Sequence, residues 1–240
     1  QDIQARFRVA GKEAELWHPD TGEIELAEYS TADNLTTVPL NLAQRKSVFV
    51  VFRRAASAPS RALPPRVAMT LATLIGSWEV HFPTDLGGPG TIELAELGSW
   101  ADHAEEGVKY FSGTATYTKT LQVAPDSFQE GATLWLDLGA VRDLAEVCVN
   151  GKTLGTLWKE PYRIDITGAL KPGANQLEIK VTNQWTNRIA GDRTVPADRR
   201  VLSQSSRGGF GGFGGFGGRG QRLAESGLLG PVTLVSQMDQ

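Results

Sequence analysis

The stretch AEVCVNGKTLGTLW, residues 145–158, decides the fold. Two runs of strand-like composition flank Asn150-Gly151, a pair that accepts positive φ at both positions. A two-residue type I′ turn between antiparallel strands needs that conformation. The neighbouring segments repeat the pattern. In ATLWLDLG, residues 132–139, Leu134, Leu136 and Leu138 point one way while Thr133, Trp135 and Asp137 point the other. GTATYTKTLQV at 113–123 alternates through Ala115, Tyr117 and Leu121, and YRIDIT at 162–167 through Tyr162, Ile164 and Ile166. NQLEIKVTN at 175–183 alternates Leu177, Ile179 and Val181, with the turn KPGAN just before it.

Strands this closely spaced, with turn signals between them, predict a β-sandwich or jelly roll. A barrel of alternating strands and helices is excluded, because no helix-length periodic segment separates the strands. Towards the N-terminus, ARFRVAG, EIELAEY, TTVPLNL and SVFVVFRR also read as strands. Val38, Leu40 and Leu42 alternate as in a half-buried strand, and the apolar run Val48–Phe52 suits a core covered on both sides. The Ala/Pro/Ser-rich stretch 55–66, AASAPSRALPPR, reads as a linker, since proline fixes φ and removes donors. The expected organisation is a small β domain at 1–54, the linker at 55–66, and a jelly roll at 67–240.

Composition bounds the function. The 240 residues are 40% hydrophobic and 21% charged, enough for a packed core and against global disorder. A net charge of −3 argues against a dedicated nucleic-acid protein, which normally carries a basic excess. The single cysteine, Cys148, excludes an intrachain disulfide and reads as a small buried hydrophobe. No apolar run approaches the ~20 residues a membrane-spanning helix needs. QDIQARFRV, residues 1–9, has no apolar signal-peptide core, and a start at glutamine suggests a processed or excised chain.

The ordered set of motifs across residues 108–185 resembles the jelly-roll sugar-binding domain of family 2 glycoside hydrolases, a galactose-binding-like sandwich. The marks are Tyr110 and Phe111 on an aromatic entry strand, a strand ending in Leu-Gly, and the V-x-V-N-G-K-x-L-G hairpin. An aromatic-Arg-x-Asp-Ile-Thr strand and L-K-x-G-x-N-x-L-x-I follow. A wider resemblance takes in the segment from FRVAGKEAELWHPDTGEI to SVFVVFRR, with GSWEVHF, VTNQWTNRIAGD and ESGLLGPVTL. It is to the C-terminal region of family 106 α-L-rhamnosidases. That resemblance implies a secreted or periplasmic enzyme of plant-polysaccharide breakdown. Its catalytic barrel would lie before Gln1, and this chain would be the non-catalytic end.

The residues themselves agree. Glycosidases need two carboxylates flanking the scissile bond, roughly 5–10 Å apart. The 27 acidic residues are scattered and nominate no pair, so no catalytic residue is assigned. His18, His81 and His103 lack metal-ligand spacing, and no G-x-S-x-G elbow is present. No cofactor is expected, although galactose-binding-like sandwiches often hold a structural calcium in oxygen-rich loops.

Sugar binding asks instead for aromatic faces that stack on pyranose C–H faces and planar polar groups that grip hydroxyls. Trp100, Tyr110, Trp158, Tyr162 and Trp185 are the candidate faces, with core or inter-domain packing as the other reading of each. Asn187, Arg188 and Asp192, in TNQWTNRIAGD, are the candidate grips, or else a structural knot in which Arg188 pairs with Asp192. The expected function is a carbohydrate-binding accessory module whose partners are a cell-wall glycan, with rhamnose as one component, and a parent catalytic barrel. A stand-alone glycoside hydrolase is the alternative. Nucleic-acid binding through SSRGGFGGFGGFGGRGQ, residues 205–221, ranks last. That repeat reads as a long loop before the closing strand at ESGLLGPVTL.

Overall fold

The computed structural model describes residues 1–202 and 222–239. The Gly/Phe-rich stretch 205–221, expected to be a loop, lies outside the described residues. The chain divides into two compact units, residues 1–67 and 68–238.

The first unit holds two antiparallel sheets. One runs Asp2–Phe7, Leu35–Asn41, Tyr29–Ala32, Ser60–Arg61 in spatial order; the other runs Ile24–Leu26, Glu15–Trp17, Phe49–Val51. Asp33 and Asn34, at φ 51° and 60°, make the tight reversal between Tyr29–Ala32 and Leu35–Asn41. Its small core gathers Ala14, Ala27, Tyr29 and Val38, with Phe7 and Phe52 edge-to-face at 5.3 Å. The run Val48–Phe52 is not covered on both sides. Val50 and Phe52 pack on the core, whereas Phe49 is 60% exposed.

Nor is 55–66 a linker. Ala56 packs on the first core, Ser60–Arg61 pairs with Tyr29–Ser30, and the Tyr29 hydroxyl donates to the Ala58 carbonyl at 3.1 Å. Prolines 59, 64 and 65 leave Ser60 and Arg61 between them with their amides intact, so a two-residue edge strand still forms.

Glu15 is the notable polar group here, 2% exposed. Its carboxylate accepts the Trp17 indole N–H at 3.0 Å and Arg53 at 2.9 Å. The Trp17 bond and the Arg53 charge hold the carboxyl below its usual range against the opposing effect of burial. A carboxyl with a depressed folded pKa stabilises the fold above the ordinary carboxylate pKa, and that stability is lost as pH falls through the lower folded value. Calorimetric scans should therefore show the first unit weakening below about pH 4.5. Glu15→Gln should be less stable at neutral pH with a flatter acid limb; parallel curves would count against this coupling.

The second unit is a jelly-roll sandwich, as the resemblance implies. Its six-stranded antiparallel sheet runs Gly90–Leu94, Trp78–Phe82, Thr114–Val123, Gly173–Thr182, Leu144–Val149, Lys152–Leu157. The facing sheet runs Arg163–Asp165, Thr133–Asp137, Thr233–Asp239, Arg66–Thr73. One core fills the space between them. Trp78, Val80 and Phe82 point in from one strand, Ala115 and Tyr117 from the next, then Val147, Ile179, Leu134 and Leu136.

Asn150 and Gly151, at φ 52° and 79°, form the expected hairpin turn between Val149 and Lys152. Cys148 differs from its expectation. Val147 and Val149 are fully inward, so the intervening thiol faces outward and is half-buried. The closing segment forms Gly227–Gly230 and then Thr233–Asp239, which pairs along Thr133–Asp137 in the middle of its sheet.

Candidate functional site

Strand ends at one place in the sandwich bring polar residues together. Ala140–Arg142 ends at Arg142, Gly173–Thr182 runs out into Asn183 and Gln184, and the short helix Thr186–Asp192 begins directly afterwards. Most of TNQWTNRIAGD is this two-turn helix. Residues 222–226 descend alongside, before Gly227–Gly230. Between these segments lies a cleft of about 280 Å³, walled by Arg142, Asp143, Gln184, Thr186, Asn187 and Glu225 among others.

Its floor is fixed from below. Asn183 accepts from the Gly113 amide and donates to the Phe111 carbonyl, both at 3.0 Å. The Tyr162 hydroxyl donates to the Asp143 carbonyl at 3.0 Å. At the rim, Arg142 reaches Glu225 at 3.1 Å with both side chains partly in solvent. Such an exposed pair is worth little to stability, about 0–1 kcal/mol.

Of the residues nominated from sequence, Trp185 lies in the chain between the wall residues Gln184 and Thr186 and is 44% exposed, but it is not itself a wall residue. Trp158 is 57% exposed on a separate turn, with the Lys159 ammonium 4.9 Å from its ring. Tyr110 is half-buried and packs against Gly191, where a side-chain carbon would come within 2.6 Å of its ring.

Two nominations are corrected. Trp100 is 1% exposed, enclosed by Phe82, Phe111 and Tyr117, and has no face left for a ligand. Tyr162 is 8% exposed, and its ring belongs to the core.

Asn187, Arg188 and Asp192 are all buried in the helix, and the structural knot describes them better than a hydroxyl grip. Arg188 donates to the Leu86 carbonyl at 3.2 Å and lies 4.0 Å from Asp192, while burial lowers its pKa. Asn187 alone of the three also walls the cleft. Arg142, Gln184 and Glu225 were not foreseen, because three distant segments supply them and no local spacing marks them. Among the described residues, no three His, Cys, Asp or Glu side chains gather where they could hold a metal ion.

Residues 94–207, within the second unit, match the family model described as glycosyl hydrolase 2 galactose-binding domain-like, in keeping with its galactose-binding-like β-sandwich fold. More particularly, the chain is similar to a rhamnosidase from Novosphingobium sp. PP1Y. The two are 43% identical with a TM-score of 0.83, over 98% of this chain and 21% of that one. A putative beta-glucuronidase from Formosa agariphila is 50% identical over 125 residues, which are 52% of this chain and 11% of that protein. The chain thus spans about a fifth of the rhamnosidase and about a tenth of the glucuronidase.

Proposed function

We propose that this chain is a non-catalytic β-sandwich module of an α-L-rhamnosidase-type glycoside hydrolase, and that it contacts plant glycan chains through the cleft beside Trp185. The observation that carries the reading is the match along almost its whole length to one-fifth of a rhamnosidase. The cleft has the chemistry for neutral sugars. Arg142, Gln184, Thr186 and Glu225 on its wall would supply hydroxyl partners, and the exposed Trp185 indole, next in the chain to two wall residues, would supply a stacking face. The catalytic acids would come from a barrel elsewhere in the parent enzyme, and the module would act outside the cytoplasm, where cell-wall polysaccharide is found.

Titration calorimetry with rhamnose-containing pectin, xylan and β-glucan tests the binding role. Heat is expected with the pectin, and Trp185→Ala should weaken it about tenfold, as loss of a central aromatic anchor does. Trp158→Ala, remote in sequence from every cleft residue, should leave it unchanged. Absence of heat with all three glycans would sink the binding role. An aryl α-L-rhamnoside assay should stay flat between about pH 4 and 8, the range over which a carboxylate pair would work; turnover would make the chain an enzyme in its own right.

A further inference from the structure

We propose that the helix Thr186–Asp192 is a clasp: Asn187 and Asp192 hold the two chain stems on either side of residues 203–221. Asn187, 2% exposed, turns its amide group onto the returning stem, where its Nδ2 also reaches Ser226 Oγ at 3.4 Å. Its Nδ2 donates to the Ala224 carbonyl at 2.7 Å and its Oδ1 accepts the Ala224 amide at 2.9 Å, the pairing a neighbouring strand would offer. Asp192, 7% exposed, takes the other stem. Its Oδ1 accepts from the Val201 amide at 3.2 Å and its Oδ2 from the Leu202 amide at 2.9 Å. One side chain near each end of a seven-residue helix thus grips the chain before the segment and after it.

The clasp is itself bolted down. The Arg188 amide donates to Ser112 Oγ at 3.1 Å, and its guanidinium to the Leu86 carbonyl. Gly191 lies so close to the Tyr110 ring that no larger residue fits without displacing it. A helix fixed at three points gives both stems a fixed base. It also sets one wall of the cleft, because Ala224, Glu225 and Ser226 are wall residues and Asn187 pins the first of them. Asn187 and Asp192 are therefore positioning residues, and the clasp holds whether or not a glycan enters.

Amide hydrogen exchange on the full chain reads each grip separately. Asn187→Ala removes the acceptor of the Ala224 amide, which should exchange about tenfold faster, the scale of one lost hydrogen bond. Val201 and Leu202 should be unaffected. Asn187→Asp keeps an acceptor oxygen and should restore protection at Ala224. Asp192→Asn should speed Val201 or Leu202 by a similar factor and spare Ala224. The core amides of Val147 and Ile179 serve as the internal reference. A uniform rise that includes them would overturn the proposal, because the two residues would then act only through global stability. No change at the stems would overturn it equally. Replacing residues 203–221 with an equally long Gly/Ser segment should leave protection at Val201, Leu202 and Ala224 within about twofold. Loss of protection there would mean that the segment, and not the helix, holds the stems.

Discussion

Trp100→Ala is expected to cost the second unit about 4 kcal/mol, the middle of the range for removing a buried tryptophan. The indole sits where three aromatic rings meet: Phe82 at 5.3 Å, Phe111 at 5.6 Å and Tyr117 stacked at 6.4 Å. The surrounding strands are locked in two sheets and cannot collapse into the space it would leave. Its Nε1 donates to the Tyr117 hydroxyl, which also accepts the Leu228 amide at 3.1 Å. Burial pushes that hydroxyl up to about 12, so it remains a neutral phenol at any ordinary pH. Gly227 closes the arrangement: at φ 98° a side-chain carbon there would lie 2.4 Å from the indole nitrogen.

The substitution thus empties a large site and loosens the segment that leads into the central strand Thr233–Asp239. Urea titration of the intact chain should show the second unit's midpoint falling sharply. Trp100→Phe, which keeps most of the volume and loses the N–H, should cost about 1–2 kcal/mol, the scale of one buried hydrogen bond. A loss below about 1 kcal/mol for the alanine variant, well under the usual range, would show that the cluster is not packed as described.

Trp100 also shows where sequence reading stops. Its setting, LGSWADHAEEG, correctly marks a turn, and residues 100–102 are a short 3₁₀ segment. A turn is usually a surface feature, which is what makes the ring a candidate sugar face alongside the core-packing reading. Here the ring packs inward among Phe82, Phe111 and Tyr117, which only the tertiary arrangement reveals. Cys148 is the opposite case. The alternation that makes 145–149 a strand already required the thiol to face away from Val147 and Val149, and the apolar character of the run hid that parity. The jelly roll itself was legible because two-residue periodicity and turn chemistry are local. The cleft was not, since Arg142, Gln184 and Glu225 meet only after the sheets have formed.

The hairpin motif itself carries the second large effect: Asn175→Ala should cost about 3 kcal/mol, several times a typical hydrogen-bond deletion. Asn150, in the left-handed turn position, does more than tolerate its φ. Its Oδ1 accepts the Gln176 amide at 3.0 Å, and its Nδ2 donates to the Ala169 carbonyl and to Asn175 Oδ1, both at 2.8 Å. Asn175, 1% exposed, returns the contact. Its Oδ1 also accepts the Lys171 amide at 2.9 Å, and its Nδ2 donates to the Lys171 and Gly173 carbonyls at 2.7 and 2.9 Å. The asparagines of V-N-G-K and K-P-G-A-N thus lock two turns at one end of the sheet, which gives a physical reason for the motifs to occur together.

Removing Asn175 strands four polar groups around a buried position, at about 1–3 kcal/mol each when water cannot reach them. Lys171 and Gly173 are exposed, so water recovers part of that sum and leaves the smaller total. Asn150→Gly keeps the turn conformation, lies in solvent, and should cost only about 1 kcal/mol. The two substitutions share a hydrogen bond, so chemical denaturation of both singles and the double should show the double costing less than their sum. Strict additivity, or an Asn175→Ala loss below about 0.5 kcal/mol, would mean that the turns are held independently.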